Sequence, residues 1–225
     1  MSGPPGLFAL SLLRRALRLA FRVLYHDMAW TYDTVASIVS RGRWYEWVDV
    51  VLPFVRGPSI LELAYGTGHL LESLSKTQSR HAVGLDEARQ MATVAKRRTV
   101  GSDGGRLDLI QGLAQRLPFC RENFDSVVST FPTEFIFGPD TLSEIYRVLK
   151  PGGRLVVLPL AWMVGKKPLD RAAAWLFAFT RQVPDAAEEA IGTRLGAPLR
   201  EAGFQMATHR IELHASIVLV IVATK

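Results

Sequence analysis

The stretch that decides the fold is "ILELAYGTGHL", residues 60–70. An apolar run leads into a turn that contains Gly66 and Gly68, and a helical pattern follows the turn. Glycine lets backbone N–H groups approach a ligand, and turns of this kind bind ligands at the carboxyl edge of doubly wound sheets. Ala64 stands where such loops usually have a first glycine. The stretch predicts an α/β sheet with a ligand beyond its first strand.

Apolar runs alternate with helical segments through the rest of the chain, which predicts a mostly parallel sheet with helices on both faces. Seven strands are predicted at residues 59–64, 81–86, 107–112, 124–130, 153–160, 204–213 and 216–224, with helices near 67–76, 87–98, 139–149, 168–180 and 186–202. Only His214 and Ala215 separate the last two runs, so these should form an antiparallel hairpin. Residues 25–58 predict a helical cap between a basic segment, 1–24, and the main domain, 59–225.

The glycine turn does not fit the dinucleotide fingerprint G-x-G-x-x-G. The third glycine position falls on His69 when the count starts at Ala64, and on Leu71 when it starts at Gly66. Asp86 ends the second predicted strand, where an acid can accept hydrogen bonds from ribose hydroxyls. A nucleoside cofactor other than a nicotinamide dinucleotide is therefore favoured, and a turn without a ligand is the alternative.

Four segments follow one another in a fixed order, namely "LELAYGTG", "GLDEARQM", "QGLAQRLPFCRENFDSVVS" and "EIYRVLKPGGRLVVL". In this order and spacing they resemble the motifs of class I S-adenosylmethionine-dependent methyltransferases, most of all the quinone and phospholipid N-methyltransferase group. The resemblance covers residues 25–160, and the final hairpin fits the same fold. It implies a Rossmann-like fold, S-adenosyl-L-methionine as the cofactor, and methyl transfer as the activity.

The resemblance also implies cofactor-binding residues at the ends of the predicted strands. They are Glu62 at the amino acid part of the cofactor; Leu63, Ala64, Tyr65, Gly66 and Gly68 around its methionine portion; Asp86, Glu87 and Met91 at the ribose and adenosine; Gly112, Leu113 and Ala114 beside the adenine; and Thr130, Phe131 and Pro132 under the sulfonium. The family usually has glycine in place of Ala64 and commonly an acid in place of Leu113. These departures leave open an inactive binding or scaffold protein.

Methyl transfer from a sulfonium needs an acceptor held in line with the methyl group, and it requires neither a catalytic triad nor a metal. The single cysteine, Cys120, excludes an internal disulfide framework and argues against a cysteine-based zinc site. Candidate catalytic residues at the mouth of the site are Tyr25, His26 and Tyr32, with Asp33 beside them, and Glu134. A tie between cap and sheet is the alternative for Tyr32 and Asp33, and a solvated loop acid for Glu134. His69 is interpreted as the start of the first helix.

The positive charge is concentrated at the front of the chain. Lysine and arginine number 27 against 21 acids, a net charge of +6, and Arg14, Arg15, Arg18 and Arg22 lie in the first 24 residues. Residues 7–24 have the spacing of a basic amphipathic helix, and the arginines interrupt its apolar run as they would not in a secretory signal or a spanning helix. The helix is expected to lie on an anionic membrane surface or to pack within the protein. Nucleic-acid binding is not expected, because no stacking platform accompanies the charge.

The segment "LPLAWMVGKKPLDRAAAWLFAFTRQVP", residues 158–184, is unusually apolar and lies where methyltransferases of this kind have acceptor-binding insertions. Core packing is the alternative. Together with the basic front helix, the segment predicts a small hydrophobic or lipid-like acceptor taken from a membrane surface. The predicted location is the cytoplasm, with peripheral attachment to the inner face of a membrane.

Overall fold

The structure is a computed structural model, and it describes residues 42–77, 81–99, 106–164 and 196–225. Several predictions fall outside these ranges: the front helix 7–24, the first part of the cap, the candidates Tyr25, His26, Tyr32 and Asp33, and most of the segment 158–184. Within the described ranges, no helix combines the length and the apolar composition needed to cross a membrane.

The described residues form seven strands, five α-helices and two short 3-10 helices. The strands are β1 Ser59–Leu63, β2 His81–Asp86, β3 Arg106–Gln111, β4 Phe124–Thr130, β5 Leu149–Met163, β6 Gln205–Leu213 and β7 Ser216–Thr224. The α-helices are α1 Trp44–Asp49, α2 His69–Thr77, α3 Arg89–Thr99, α4 Pro139–Val148 and α5 Gly196–Glu201, and the 3-10 helices are Leu52–Phe54 and Glu134–Phe137.

All seven strands belong to one sheet of order β3-β2-β1-β4-β5-β7-β6. Strands β1 to β5 pair in parallel, and β7 runs antiparallel to both β5 and β6. The predicted Rossmann-like sheet and its antiparallel hairpin are confirmed. The fifth strand starts at Leu149, four residues earlier than predicted, because Leu149 pairs with Phe124 ahead of the register shift that accommodates the Pro-Gly-Gly turn.

The sheet has a core on each face because neighbouring residues of a strand point to opposite sides. On one face, Leu61 and Leu63 of β1 belong to a cluster that includes residues of α4 and α5. On the other face, Ile60 packs in a cluster with Trp47 of α1 and Leu70 of α2. The indole N–H of Trp47 donates to Ser216 Oγ at 2.8 Å inside this second cluster. This bond ties α1, which lies in the described part of the predicted cap, to the start of β7.

Helix α4 holds the loop that leads from β3 to β4. The Arg147 guanidinium donates to the carbonyl oxygens of Leu117 at 3.0 Å and Phe119 at 2.7 Å, and to both carboxylate oxygens of Glu144. Glu144 in turn accepts the backbone N–H of Leu117 at 2.7 Å. These hydrogen bonds with Arg147 lower the pKa of Glu144. The "EIYR" part of the last motif therefore fixes the loop whose first residues border the site.

Candidate functional site

A cavity of about 330 Å³ lies at the carboxyl ends of β1, β2 and β4. The strand order reverses between β1 and β4, and ligands of doubly wound sheets bind at such a point. The volume lies at the lower end of the range for small-molecule sites, roughly 300–1,000 Å³. The fold and the cavity thus place one candidate site at the glycine turn.

The glycine turn adopts a left-handed backbone at three positions. Ala64, Gly66 and Gly68 have φ values of 56°, 53° and 81°. Glycine takes this conformation freely, whereas for alanine it costs roughly 1–2 kcal/mol. The Ala64 N–H donates to the Leu85 carbonyl at 2.8 Å, which holds the strained residue against β2. Ala64 therefore keeps the backbone shape that glycine provides in the related motif.

Gly66 and Gly68 serve different purposes. A Cβ on Gly68 would lie 2.8 Å from the Cβ of Ala95, so this glycine allows α3 to approach the turn. A Cβ on Gly66 would meet no atom within 4 Å, and Gly66 lines the cavity. Gly68 is needed for packing, and Gly66 leaves space for a ligand.

Asp86 organises the turn from the end of β2. One carboxylate oxygen accepts the backbone N–H of Gly66 at 3.0 Å, and the other accepts that of Ala88 at 2.8 Å. The side chain is buried, and the residue lines the cavity. An acid held in this way can present the same oxygens to the hydroxyls of a ribose.

Glu62 is a buried acid in the wall of the same cavity. Its Oε2 atom has no hydrogen-bond partner among the described residues, and only 2% of the residue is exposed. Burial raises the pKa of Glu62, and the charge of Asp86 raises it further, although a bond from the Leu71 N–H acts in the opposite direction. A buried polar atom without a partner is costly, so this oxygen fits a ligand that brings a cation or a donor.

Two stacked aromatic rings form another part of the wall. The rings of Trp44 and Phe131 lie with their centroids 4.4 Å apart and their planes at 25°. Phe131 follows β4 with a left-handed φ of 48°, and its N–H donates to the Leu158 carbonyl at 2.7 Å. Strained residues of this kind cluster at ligand sites. The pair offers an apolar surface to a flat or cationic group.

His69 also lines the cavity, at the first position of α2. Its Nε2 lies 2.9 Å from Asp49 Oδ1, and its ring packs on the Tyr45 ring at a centroid distance of 4.2 Å. Both partners belong to α1. The prediction that His69 begins the first helix is confirmed, but the residue also reaches the site.

Most of the predicted cofactor residues meet at this cavity: Glu62, Ala64, Tyr65, Gly66, Asp86, Glu87, Gly112, Leu113, Ala114, Thr130, Phe131 and Pro132 line it. Leu63 and Met91 are fully buried behind the lining, and Gly68 packs against α3. Glu134 starts a 3-10 helix and is not among the lining residues. The lining also includes residues that the sequence did not predict, namely Trp44, Val48, Thr67, His69, Leu70, Leu85, Ala88, Gln115, Thr133 and Phe135.

The comparisons with known proteins agree with this geometry. A family described as a methyltransferase domain matches residues 60–153. A demethylmenaquinone methyltransferase of Symbiobacterium thermophilum is 36% identical over 157 residues, 67% of this chain and 61% of that protein. The C-methyltransferase UbiE of Rhizobium leguminosarum bv. trifolii, named for ubiquinone and menaquinone biosynthesis, is 31% identical over 211 residues, 83% of this chain and 81% of that protein. The chain therefore belongs to the same methyltransferase family as these relatives. It spans about three fifths of the length of the first of these relatives.

Solved structures show that the methyltransferase fold is shared. A methyltransferase of Methanococcus maripaludis described as S-adenosyl-L-methionine-dependent has a TM-score of 0.58 and 19% identity, over 87% of this chain and 90% of that chain. An N-methyltransferase of Haemonchus contortus, in complex with phosphomonomethylethanolamine and S-adenosylhomocysteine, has a TM-score of 0.59 and 16% identity, over 82% of this chain and 53% of that chain. The relatives confirm the predicted family, and these structures confirm the predicted fold.

Proposed function

We propose that the protein transfers a methyl group from S-adenosyl-L-methionine to a ring carbon of a small lipophilic quinol. One observation carries the proposal: the unpartnered carboxylate oxygen of Glu62 and the stacked rings of Trp44 and Phe131 line the same cavity. The oxygen suits the cationic ammonium of an amino acid, and the rings suit a flat acceptor beside it.

The cofactor supplies a methyl group bonded to a positively charged sulfur. Glu62 would receive its ammonium, Asp86 its ribose hydroxyls, and Phe131 would border the sulfonium. Ala64, Tyr65, Gly66, Glu87, Gly112, Leu113, Ala114, Thr130 and Pro132 would complete the contacts from the lining. Leu63, Gly68 and Met91 would support that lining by packing.

The names of the relatives and the walls of the cavity support the proposed acceptor class. One relative is named a demethylmenaquinone methyltransferase, and the other a C-methyltransferase of ubiquinone and menaquinone biosynthesis. Trp44 and Phe131 can stack on a flat ring. The acceptor must be the reduced quinol, because only its oxygen lone pairs make the ring carbon nucleophilic.

The test uses a demethylmenaquinol with a short isoprenoid chain, kept reduced, with the product identified by mass spectrometry. Its matched control is the menaquinol that already carries the methyl group. We expect methylation of the first compound alone. We also expect calorimetry to show S-adenosylhomocysteine binding that Asp86→Ala loses. Binding without transfer to the quinol would reject the acceptor, and no binding would reject the function altogether.

We propose further that residues 1–24 bring the protein to an anionic membrane, where a lipophilic quinol resides. Support comes from the sequence, since Arg14, Arg15, Arg18 and Arg22 bring four positive charges and no acid to this segment. Co-sedimentation with vesicles of anionic lipid should recover the full chain, and replacement of the four arginines by glutamine should abolish recovery. Equal recovery of both proteins, or of neither, would contradict the proposal.

A further inference from the structure

His69, which lines the cavity together with Trp44 and Phe131, bonds to a carboxylate behind the lining. His69 Nε2 lies 2.9 Å from Asp49 Oδ1, and Asp49 also accepts the hydroxyl of Ser73 at 3.1 Å. The His69 side chain is 21% exposed, so it is neither sealed in the core nor free in solvent. With Nε2–H donated to Asp49, the Nδ1 atom of the neutral ring carries the lone pair that can accept a proton.

The other titratable groups of the described lining are poorly suited to accept a proton from an acceptor. Burial, and then the charges of Asp86 and Glu62, raise the pKa of Tyr65, which keeps its phenol protonated. Both Asp86 oxygens already accept backbone N–H groups. Glu62 lies within β1, fully buried beneath the turn. Glu87 follows β2, and β1 separates β2 from β4, which Phe131 follows, so Glu87 lies on the other side of the cavity from Phe131.

His69 packs against α1, where it contacts Asp49 and Tyr45. Tyr45, whose ring packs on His69, is the neighbour in sequence of Trp44, which stacks on Phe131. Asp49 on α1 is the charged group bonded to the imidazole, Glu62 and Asp86 line the same cavity, and Arg98 of α3 donates to the Tyr45 hydroxyl at 3.0 Å. Helix α1 therefore brings the carboxylate and one aromatic ring of the site together.

We propose that His69, oriented by Asp49, is the general base that takes the hydroxyl proton of the acceptor. This inference rests on the proposed function, and it assigns the histidine to the acceptor rather than to the cofactor. Asp49 is a positioning residue in this scheme, since it acts through the imidazole.

His69 Nδ1 takes the proton of the quinol hydroxyl, and the freed electron pair passes through the ring to the carbon that bonds to the methyl carbon. The bond between sulfur and methyl breaks, and its electron pair stays on sulfur. The ring carbon then loses its hydrogen to solvent as a proton, and His69 returns its own proton to the oxygen. One proton is released for each methyl group transferred.

The first test compares His69→Gln with His81→Gln in transfer to the short-chain demethylmenaquinol. Glutamine keeps an N–H for Asp49 but cannot act as a base. His81 forms a matched pair with Asp108 at 2.8 Å, and it lies at the other end of β2, outside the cavity lining. We expect His69→Gln to lower kcat by about 100-fold or more and to remove the fall in kcat at acid pH, with S-adenosylhomocysteine affinity retained. Asp49→Asn should give a smaller loss, and His81→Gln none.

A second measurement needs no turnover. A naphthol analogue of the acceptor is bound in the presence of S-adenosylhomocysteine, and its absorbance reports the naphtholate. The wild type and His81→Gln should stabilise the naphtholate to lower pH than His69→Gln does. Equal spectra, or kcat of His69→Gln equal to that of the wild type, would overturn the inference. A loss of cofactor affinity that accounts for the whole loss of activity would also overturn it. Wild-type protein that binds the cofactor but methylates no quinol would instead reject the proposed function, and the base with it.

Discussion

Gly66 and Gly68 are two residues apart on one turn, and substitution by alanine should affect them differently. Alanine already occupies the neighbouring position 64 at φ 56°, close to the 53° of Gly66, so the turn tolerates this change. We expect Gly66→Ala to lower stability by about 1 kcal/mol and to weaken S-adenosylhomocysteine binding by about tenfold, since the methyl group enters ligand space.

Gly68→Ala is the matched control for Gly66→Ala. Its Cβ would lie 3.1 Å from the Cα of Ala95, so α3 must move, and we expect a loss of roughly 1–3 kcal/mol beyond the backbone strain. Urea unfolding and calorimetry measure the two effects. The interpretation fails if Gly66→Ala is the less stable variant, or if it binds the ligand as the wild type does.

The buried carboxyl of Glu62 should make stability depend on pH. Its pKa in the folded protein lies well above the ordinary 4.5, so the folded state holds a proton that the unfolded chain has lost. Stability then falls as pH rises from 4.5 through the folded pKa. Because Glu62→Gln lacks this proton equilibrium, we expect the variant to be more stable than the wild type without ligand at the alkaline end of about pH 5–8, and to bind S-adenosylhomocysteine more weakly.

Urea unfolding at several pH values, combined with calorimetric titration, tests this expectation. Cofactor binding should also release protons from wild-type Glu62, which appears as a dependence of the heat on the buffer. A glutamine variant that is less stable at alkaline pH and binds with unchanged affinity would show that Glu62 has a purely structural role.

At the scale of elements, α4 controls the loop on the adenine side. Arg147→Met removes the bonds to Glu144 and to two loop carbonyls, and we expect a loss of roughly 2–3 kcal/mol together with weaker ligand binding. Lys76→Met breaks an exposed pair with Glu72 at 2.6 Å, and it should cost less than about 1 kcal/mol. Chemical unfolding of the two variants gives the comparison, and equal losses would contradict the assigned role of α4.

The contribution of the Arg147–Glu144 pair to stability should depend on pH in the acid range. The hydrogen bonds from Arg147 lower the pKa of Glu144 in the folded state, so their contribution is present above the ordinary glutamate value and is lost as pH falls through the lowered one. Arg147→Met should therefore lose less stability than the wild type over this acid range.

At the scale of the whole molecule, the site lies at the carboxyl ends of the parallel strands, and the turn at 150–153 lies at the opposite end of the sheet. We expect S-adenosylhomocysteine to slow hydrogen exchange in residues 64–68, 112–115 and 130–133 and in α1. Exchange should stay unchanged in the turn at 150–153, where Gly152 and Gly153 already bond to Lys225. Mass spectrometry of peptides from free and bound protein gives the comparison, and uniform protection would argue against a local site.

The sequence predicted the sheet well because its strands are buried and apolar, and because the His214–Ala215 turn permits only a hairpin. It predicted the turn residues because they follow a strand directly. It did not predict Trp44 or the partner of His69, because these contacts join α1 to elements distant in sequence. The family resemblance, and no pattern in the sequence itself, places Met91 beside the adenosine; the residue is fully buried with Tyr65 and Ala88 of the lining, and its assignment stays a prediction.

A single guanidinium joins two parts of the site. Arg98 donates to Thr67 Oγ1 in the turn and to the Tyr45 hydroxyl on α1, both at 3.0 Å. A ligand that orders the turn therefore also restricts α1, and the next ligand loses less conformational entropy when it binds there. The consequence is synergy between the two substrates: each should bind more tightly in the presence of the other.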